Sequence, residues 1–366
     1  MDAKQITDYY ASTVVPLRSR ILEEHRALAA ELNDPAGSRM TALIEELPVH
    51  RLPERPILTY LGWLLAGGAA DAQAPAYAAV ACEFSHEGGL IHDDIVDASP
   101  RRRQQPTVWA AYAAQHPEEP WADSFGRSVA LWQGALMLRW AEDAFARALR
   151  AVPDAAAAAA QHVWRRSAAD LWGSQHIDLV ESARAGSSGP PGSAEAVVAL
   201  KGRYVALLPL QIGCALAGGG PELMSALSAY AEPLGKAYIL RNDLEGVFGT
   251  ARSKPPNDLR ERRLSVMIVL ARRTAAPEQR RALDAAGRAD LSEAEVSEIR
   301  DVLEKTGARE GVERDVRALA EEARSAAASP AFPEAARSLL ARNIDTALNF
   351  HDMASPNASV SASKQR

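Results

Sequence analysis

Apolar residues recur along this chain at helical rather than strand spacing. Alanine, leucine, arginine and glutamate fill most segments, and no run of alternating β-branched residues interrupts them. The predicted elements are therefore helices throughout, and the fold class is all-α. The most apolar run, "ILTYLGWLLAGGAA" from Ile57 to Ala70, falls short of the ~20 residues a membrane-spanning helix requires and reads as a buried core helix. Glycine, proline and serine punctuate the pattern at "LPVHRLPERP" near residue 50, at Arg184 to Ser193, at Ala217 to Glu222 and at Gly249 to Asp258. These are loops between long helices. The alanine tract 155–160 is low in complexity, yet alanine is the best helix former, so it reads as an ordinary exposed helix. From Ala354 onward the chain has almost nothing to bury, so 354–366 is expected to be a disordered tail.

Composition narrows the setting. With 366 residues, 47% hydrophobic and 24% charged, the chain can bury a sizeable core as one large domain or two ordinary ones. A net charge of −6 and a pI near 5.8 argue against nucleic acid as a partner, which would call for a basic footprint. Only Cys82 and Cys214 occur, far apart, which offers no disulfide or cysteine metal framework and suits a cytoplasmic setting. The opening "MDAKQITDYYAS" lacks the apolar region of a secretory signal. Neither export nor a membrane span is expected.

One stretch breaks the ordinary charge pattern. "LIHDDIVDASPRRRQQPTVW", Leu90 to Trp109, puts three aspartates within five residues and three arginines shortly after. On a helix, Asp93 and Asp97 share one face and Asp94 turns roughly 100° away. Like charges on one face repel. Something positive is expected between the aspartates, and something negative near the arginines.

"GGLIHDDIVD" followed by "RRQQPT" resembles the first aspartate-rich motif and arginine pair of the trans-prenyl diphosphate synthases, also called polyprenyl synthetases. The likeness runs from about Arg51 to about Val266, through "RP" at Arg55, "EFSH" at Glu83, "SQHIDL" at Ser174, "KGRY" at Lys201, "LRNDLEGVFG" at Leu240 and "SKPPNDLRERR" at Ser253. The resemblance implies a single-domain isoprenoid synthase fold over residues 1–353, with roughly ten or more antiparallel helices around a deep central cavity. It also implies a homodimer and a Mg²⁺-dependent prenyltransferase that ionises an allylic prenyl diphosphate and joins it to isopentenyl diphosphate. Mg²⁺ suits the departing pyrophosphate because it binds through one or two carboxylates plus phosphate oxygens. The same likeness assigns Asp93, Asp94 and Asp97 to metal, Arg102 to the allylic diphosphate and Arg103 to the second diphosphate, since arginine's planar fork matches phosphate. Lys201 and Lys254 become charges on the leaving group, His86 and Arg55 belong near isopentenyl diphosphate, and Gln175 and Asp178, which share a helical face at i and i+3, face substrate. Each of these also has a plainer reading: a solvated basic loop for the arginines, surface lysines, a core histidine, a capping or core-satisfying role for Gln175 and Asp178. His92 reads as structural.

Departures from the family pattern open alternatives. Arg51 and Leu52 stand where Gly-Lys is usual, Tyr238 and Ile239 where Phe-Gln is usual, Gly202 where a hydroxyl residue is usual, and Arg262-Arg263 where Gly-Lys is usual. Ala135 replaces a common aspartate, Asn242 replaces the first aspartate of the second acidic motif, and Gly246 a later acid. Asn242, Asp243 and Glu245 remain the candidate metal ligands of that motif. The acceptor half is weakened more than the allylic half. Chain elongation therefore competes with transfer to a non-isoprenoid acceptor or cyclisation, and with a catalytically weak partner subunit. Gly88 and Gly89, with Ser85 a turn further, are expected to line the wall beside the growing tail and admit products of about C15 to C20 or longer, unless Trp132 or another helix supplies the floor. Close helix packing is the plainer role for two glycines.

Overall fold

The computed structural model describes residues 3–31, 54–102, 105–183, 192–249, 258–260 and 265–348. The N-terminal segment runs as α1 (Ala3–Tyr9), a π-helical turn (Tyr10–Val14) and α2 (Val15–Glu31). The centre comprises α3 (Glu54–Leu65), α4 (Ala74–Val96), α5 (Val108–Ala113), α6 (Ala122–Arg150), α7 (Asp154–Ala183), α8 (Ser193–Gly202), a second π-helical turn (Arg203–Leu207), α9 (Leu208–Leu216) and α10 (Pro221–Phe248). Five further helices close the chain: α11 (Val266–Thr274), α12 (Pro277–Asp284), α13 (Glu293–Lys305), α14 (Ala308–Ala327) and α15 (Glu334–Leu348). The all-α expectation holds with one exception, an antiparallel pair of two-residue strands, β1 (Arg101–Arg102) and β2 (Gln105–Pro106).

The expected core helix is α3, whose Leu58, Tyr60, Leu61, Trp63 and Leu65 are buried; it ends at Leu65 and not at Ala70, because the chain turns at Gly67, which takes φ 82°. It packs on α4 and α9, while α4 packs along α6, α7 on α8 and α9, and α10 on α8 and α14. Two glycine contacts let backbones meet. A Cβ on Gly235 of α10 would lie 2.1 Å from the Gly202 carbonyl oxygen of α8, and one on Gly88 of α4 would lie 2.9 Å from that of Gly134 on α6. The glycine at 202, a departure on paper, is thus what lets α8 and α10 touch. The alanine tract forms the first turns of α7 as an ordinary helix, exposed at Ala155, Ala158 and Ala159, while Ala160 is fully buried.

One described stretch, Ser193–Leu216, is long and apolar enough to cross a membrane by length and composition, with a mean hydropathy of 1.3. Of its most apolar window, 72% is buried inside the bundle, so it packs as core. The expected loops near residue 50 and at 184–191, and the tail 354–366, lie outside the described residues.

Candidate active site

The aspartates sit at the C-terminal end of α4, where the helix is closed by a specific turn. Ala98 takes φ 52°, a left-handed conformation that costs a residue with a side chain roughly 1–2 kcal/mol. The Ser99 N–H reaches the Asp94 carbonyl at 3.0 Å and the Ala98 N–H that of Ile95 at 3.3 Å, the paired bonds of a Schellman closure. Trp109 Nε1 donates to the Asp94 and Ser99 carbonyls, and Arg127 Nη1 to that of Ile95. The Asp94 and Ile95 carbonyls at this helix end thus each accept from a side chain as well as from the backbone.

This turn and the β1–β2 hairpin bring Arg102 back over the acids. Its Nε donates to Asp94 Oδ1 at 2.8 Å and its Nη2 to Asp93 Oδ2 at 3.1 Å. Burial works against the Arg102 charge, but Asp94 and Asp93 outweigh it and hold its pKa above the usual arginine value. From α7, Gln175 Nε2 donates to Asp93 Oδ1 at 3.1 Å. One turn on, Asp178 Oδ2 accepts from Lys201 Nζ of α8 at 2.7 Å. The predicted shared face of Gln175 and Asp178 therefore bridges α4 to α8. Asp97 caps α4, with its N–H on the Asp93 carbonyl, and stays partly exposed.

Five predicted residues, Asp93, Arg102, Gln175, Asp178 and Lys201, thus form one connected mouth. Mg²⁺ recruited together with diphosphate needs only one or two carboxylates from the protein. Asp93 and Asp97, four apart at a helix end, fit that need, although among the described residues no three acidic, histidine or cysteine side chains converge into a ready-made cage. Arg55, in the first turn of α3, lays its guanidinium 5.0 Å over the Tyr204 ring, and its buried Nε has no partner among the described residues. His86 is half-buried on α4. His92 packs structurally, its Nε2 3.1 Å from the Leu131 carbonyl and its ring against Gly134. Arg103 and Lys254, with Arg51, Leu52, Arg262 and Arg263, lie outside the described residues.

The two glycines expected beside the tail have different surroundings. Gly88 packs closely on α6, where an added Cβ would meet the Gly134 carbonyl oxygen, Leu138 and Met137. Gly89 has only Leu171 Cδ2 within reach, 3.8 Å from an added Cβ. Leu171 and Ser85 line a cavity of about 290 Å³ between α4, α6 and α7, whose far side carries Glu142 and Trp164. Trp164 donates to Glu142 Oε1 at 2.8 Å and stacks on Phe145. Trp132 is 74% exposed and does not supply the floor.

The second acidic motif lies on α10. Asn242 Oδ1 accepts from Arg241 Nη2 at 3.1 Å, and Glu245 pairs with Arg241 at 3.3 Å. Asp243 is half-buried against the start of α11, where it accepts from Ser265 Oγ at 3.0 Å and from the backbone N–H groups of Val266 and Met267. Burial, and then the nearby Asp258, push its pKa up to about 7. All three are engaged by protein groups.

Sequence reasoning missed a buried cluster on the other side of α4. Arg18 of α2 donates to both Glu87 oxygens at 3.1 Å and lies 3.7 Å from Glu83, which Tyr10 also approaches. Two glutamates at i and i+4 in an apolar helix were the available signal, since like charges so placed require a shared cation.

A charged cluster at the end of α4 and a cavity flanked by α4, α6 and α7 are the features that the comparisons bear on. Residues 54–304 match the polyprenyl synthetase family, and the chain belongs to it: it is a prenyltransferase of isoprenoid biosynthesis. It is 28% identical to a (2E,6E)-farnesyl diphosphate synthase of Mycobacterium tuberculosis over 280 residues, covering 72% of this chain and 69% of that one. It is 27% identical to a geranylfarnesyl diphosphate synthase of Aeropyrum pernix, covering 74% and 80%. A solved geranylgeranyl pyrophosphate synthase of Corynebacterium glutamicum, complexed with isoprenyl diphosphate and magnesium, superposes with a TM-score of 0.85 at 28% identity, over 93% of this chain and 98% of that one. The bundle is the isoprenoid synthase fold.

Proposed function

We propose that the enzyme ionises an allylic prenyl diphosphate with Mg²⁺ and condenses it with isopentenyl diphosphate to a product of about C15 to C20 or longer. The observation that carries this reading is the charged cluster in which Asp93 meets Arg102 and Gln175, while one turn along α7 from Gln175 Asp178 holds Lys201 of α8. The Corynebacterium relative, with diphosphate and magnesium in its structure, supports the same ligands here. Bound Mg²⁺ would neutralise charge on the departing pyrophosphate. Asp93 and Asp97 would hold it, Arg102 and Lys201 would turn from carboxylate to phosphate oxygens, and Arg55 and His86 would receive the acceptor. Apolar side chains exposed on α6 and α7, Leu131, Trp132 and Trp172 among them, support the homodimer that the family implies.

The test is turnover with dimethylallyl, geranyl, farnesyl and geranylgeranyl diphosphates, each with and without isopentenyl diphosphate. Elongation requires the second substrate. Pyrophosphate release without it signals cyclisation or another acceptor, and none under any condition signals a partner subunit. Asp93→Ala and Asp97→Ala should each lower turnover ~10²-fold or more, because leaving-group charge goes unneutralised in the transition state. Near-wild-type turnover in both would remove the catalytic assignment.

A further inference from the structure

The altered positions of the second acidic motif fit together as one structural unit. A Cβ at Gly246 would lie 1.8 Å from Asp258 Oδ2 and 2.3 Å from its Cγ. The Asp258 N–H also reaches the Gly246 carbonyl at 3.2 Å. A carboxylate from the following loop therefore stands where a side chain at 246 would begin. Three residues earlier, Asp243 takes the Ser265 hydroxyl and the Val266 and Met267 N–H groups, which belong to the start of α11. These are among the orphan donors every helix start must satisfy, and Ser265, the N-cap residue, makes no side-chain cap bond of its own. On the other side, Arg241 holds Asn242 and Glu245 and donates to the Ala347 carbonyl near the end of α15.

We infer that this part of α10 is a structural clasp and not a second metal cradle: Asp243 caps α11, Asp258 fills the gap at Gly246, and Arg241 ties Asn242 and Glu245 to α15. A carboxylate offers about four acceptor positions, and three of those on Asp243 are taken. Asn242 brings no charge, and the space for an acid at 246 is filled. Metal uptake is left to the aspartates of α4, a consequence that rests on the proposed role of Asp93 and Asp97.

The experiment counts Mn²⁺ bound to the full chain in the presence of inorganic pyrophosphate, from the paramagnetic resonance signal of free Mn²⁺, and measures the melting temperature with and without both ions. A ligand that binds the folded state raises its melting temperature, so a metal-binding residue and a clasp residue give opposite signatures. Asp243→Ala should melt lower than wild type yet keep the same Mn²⁺ count, an affinity within about twofold, and the same ion-induced shift. Asp243→Asn retains an acceptor oxygen for α11 and stays informative should the alanine variant fail to fold; it too should keep the wild-type count. Asp97→Asn should melt normally without ions and lose at least tenfold in Mn²⁺ affinity. A folded Asp243→Asn chain that loses one Mn²⁺ or weakens it tenfold overturns the clasp, and so does an Asp243→Ala chain as stable as wild type. Unchanged Mn²⁺ binding in Asp97→Asn would instead overturn the role given to α4, and the Asp243 variants would still decide the clasp.

Discussion

Gly89→Phe tests where the hydrocarbon tail runs. A Cβ at this position meets only Leu171 Cδ2, at 3.8 Å, so the substitution enters open space, and exchanging glycine for phenylalanine inside a helix recovers roughly half of glycine's ~1 kcal/mol penalty relative to alanine. The new ring would project toward Leu171 at the edge of the cavity that Ser85 lines one turn further on. A tail blocked there loses burial of one isoprene unit. Five carbons at ~0.8 kcal/mol each amount to about 4 kcal/mol when fully buried, and roughly half that for a unit left partly wet. At 1.4 kcal/mol per factor of ten, the longest accepted allylic diphosphate should lose ~30-fold to ~10³-fold in kcat/KM. Shorter substrates should be spared. The assay is steady-state kinetics across the four allylic diphosphates together with product length by chromatography. Unchanged kinetics with the longest substrate in a normally folded variant would show that the tail does not pass this wall. Gly88→Ala is the contrasting variant, because its Cβ would press on the Gly134 carbonyl oxygen at 2.9 Å and should lower melting temperature without changing product length.

Two further outcomes concern stability. Gly235→Ala would drive a methyl to 2.1 Å from the Gly202 oxygen and should cost about 1–3 kcal/mol through overpacking; an unchanged urea midpoint would mean α8 and α10 do not depend on this contact. The Glu83 pKa is raised to about 7 by burial and then by Glu87, against the pull of Arg18 and a bond from Tyr10. The folded chain therefore binds more protons than the unfolded chain between about pH 4.5 and 7, and stability falls as pH rises through that window. Glu83→Gln leaves Arg18 paired with Glu87 alone, so its stability relative to wild type should grow from pH 5 to pH 8 in urea titrations. A difference that stays constant with pH would show that Glu83 does not titrate there.

Features set by neighbours along the chain were legible in the sequence. Helical spacing put Asp93 and Asp97 on one face, and Gln175 and Asp178 on another, before any partner was visible, because i, i+3 and i, i+4 positions are neighbours on any helix. The reversal of the chain that returns Arg102 to the acids was not visible. It depends on a Schellman turn with alanine in the glycine position and on strands two residues long, too short to show alternation. Trp132 as a floor failed for another reason. The rotation of α6 about its own axis is set by what packs on it, here α4 through Gly88 and Gly134, and that rotation turns Trp132 outward.

The departures at 202 and 246 carry the same lesson further. Each reads in one dimension as a lost functional group, a hydroxyl beside Lys201 or an acid on the metal face. In the fold each is half of a contact whose other half lies far along the chain or across a loop: Gly202 needs Gly235, and Gly246 needs Asp258. Arg18 and Glu87, 69 residues apart, follow the same rule, since neither charge would be tolerable in the core without the other. A missing side chain is therefore weak evidence of lost activity until its space has been inspected. Where that space is filled by a backbone or a carboxylate, restoring the family residue should harm folding before it can restore chemistry, so Gly246→Asp is expected to melt below wild type unless Asp258 is shortened at the same time.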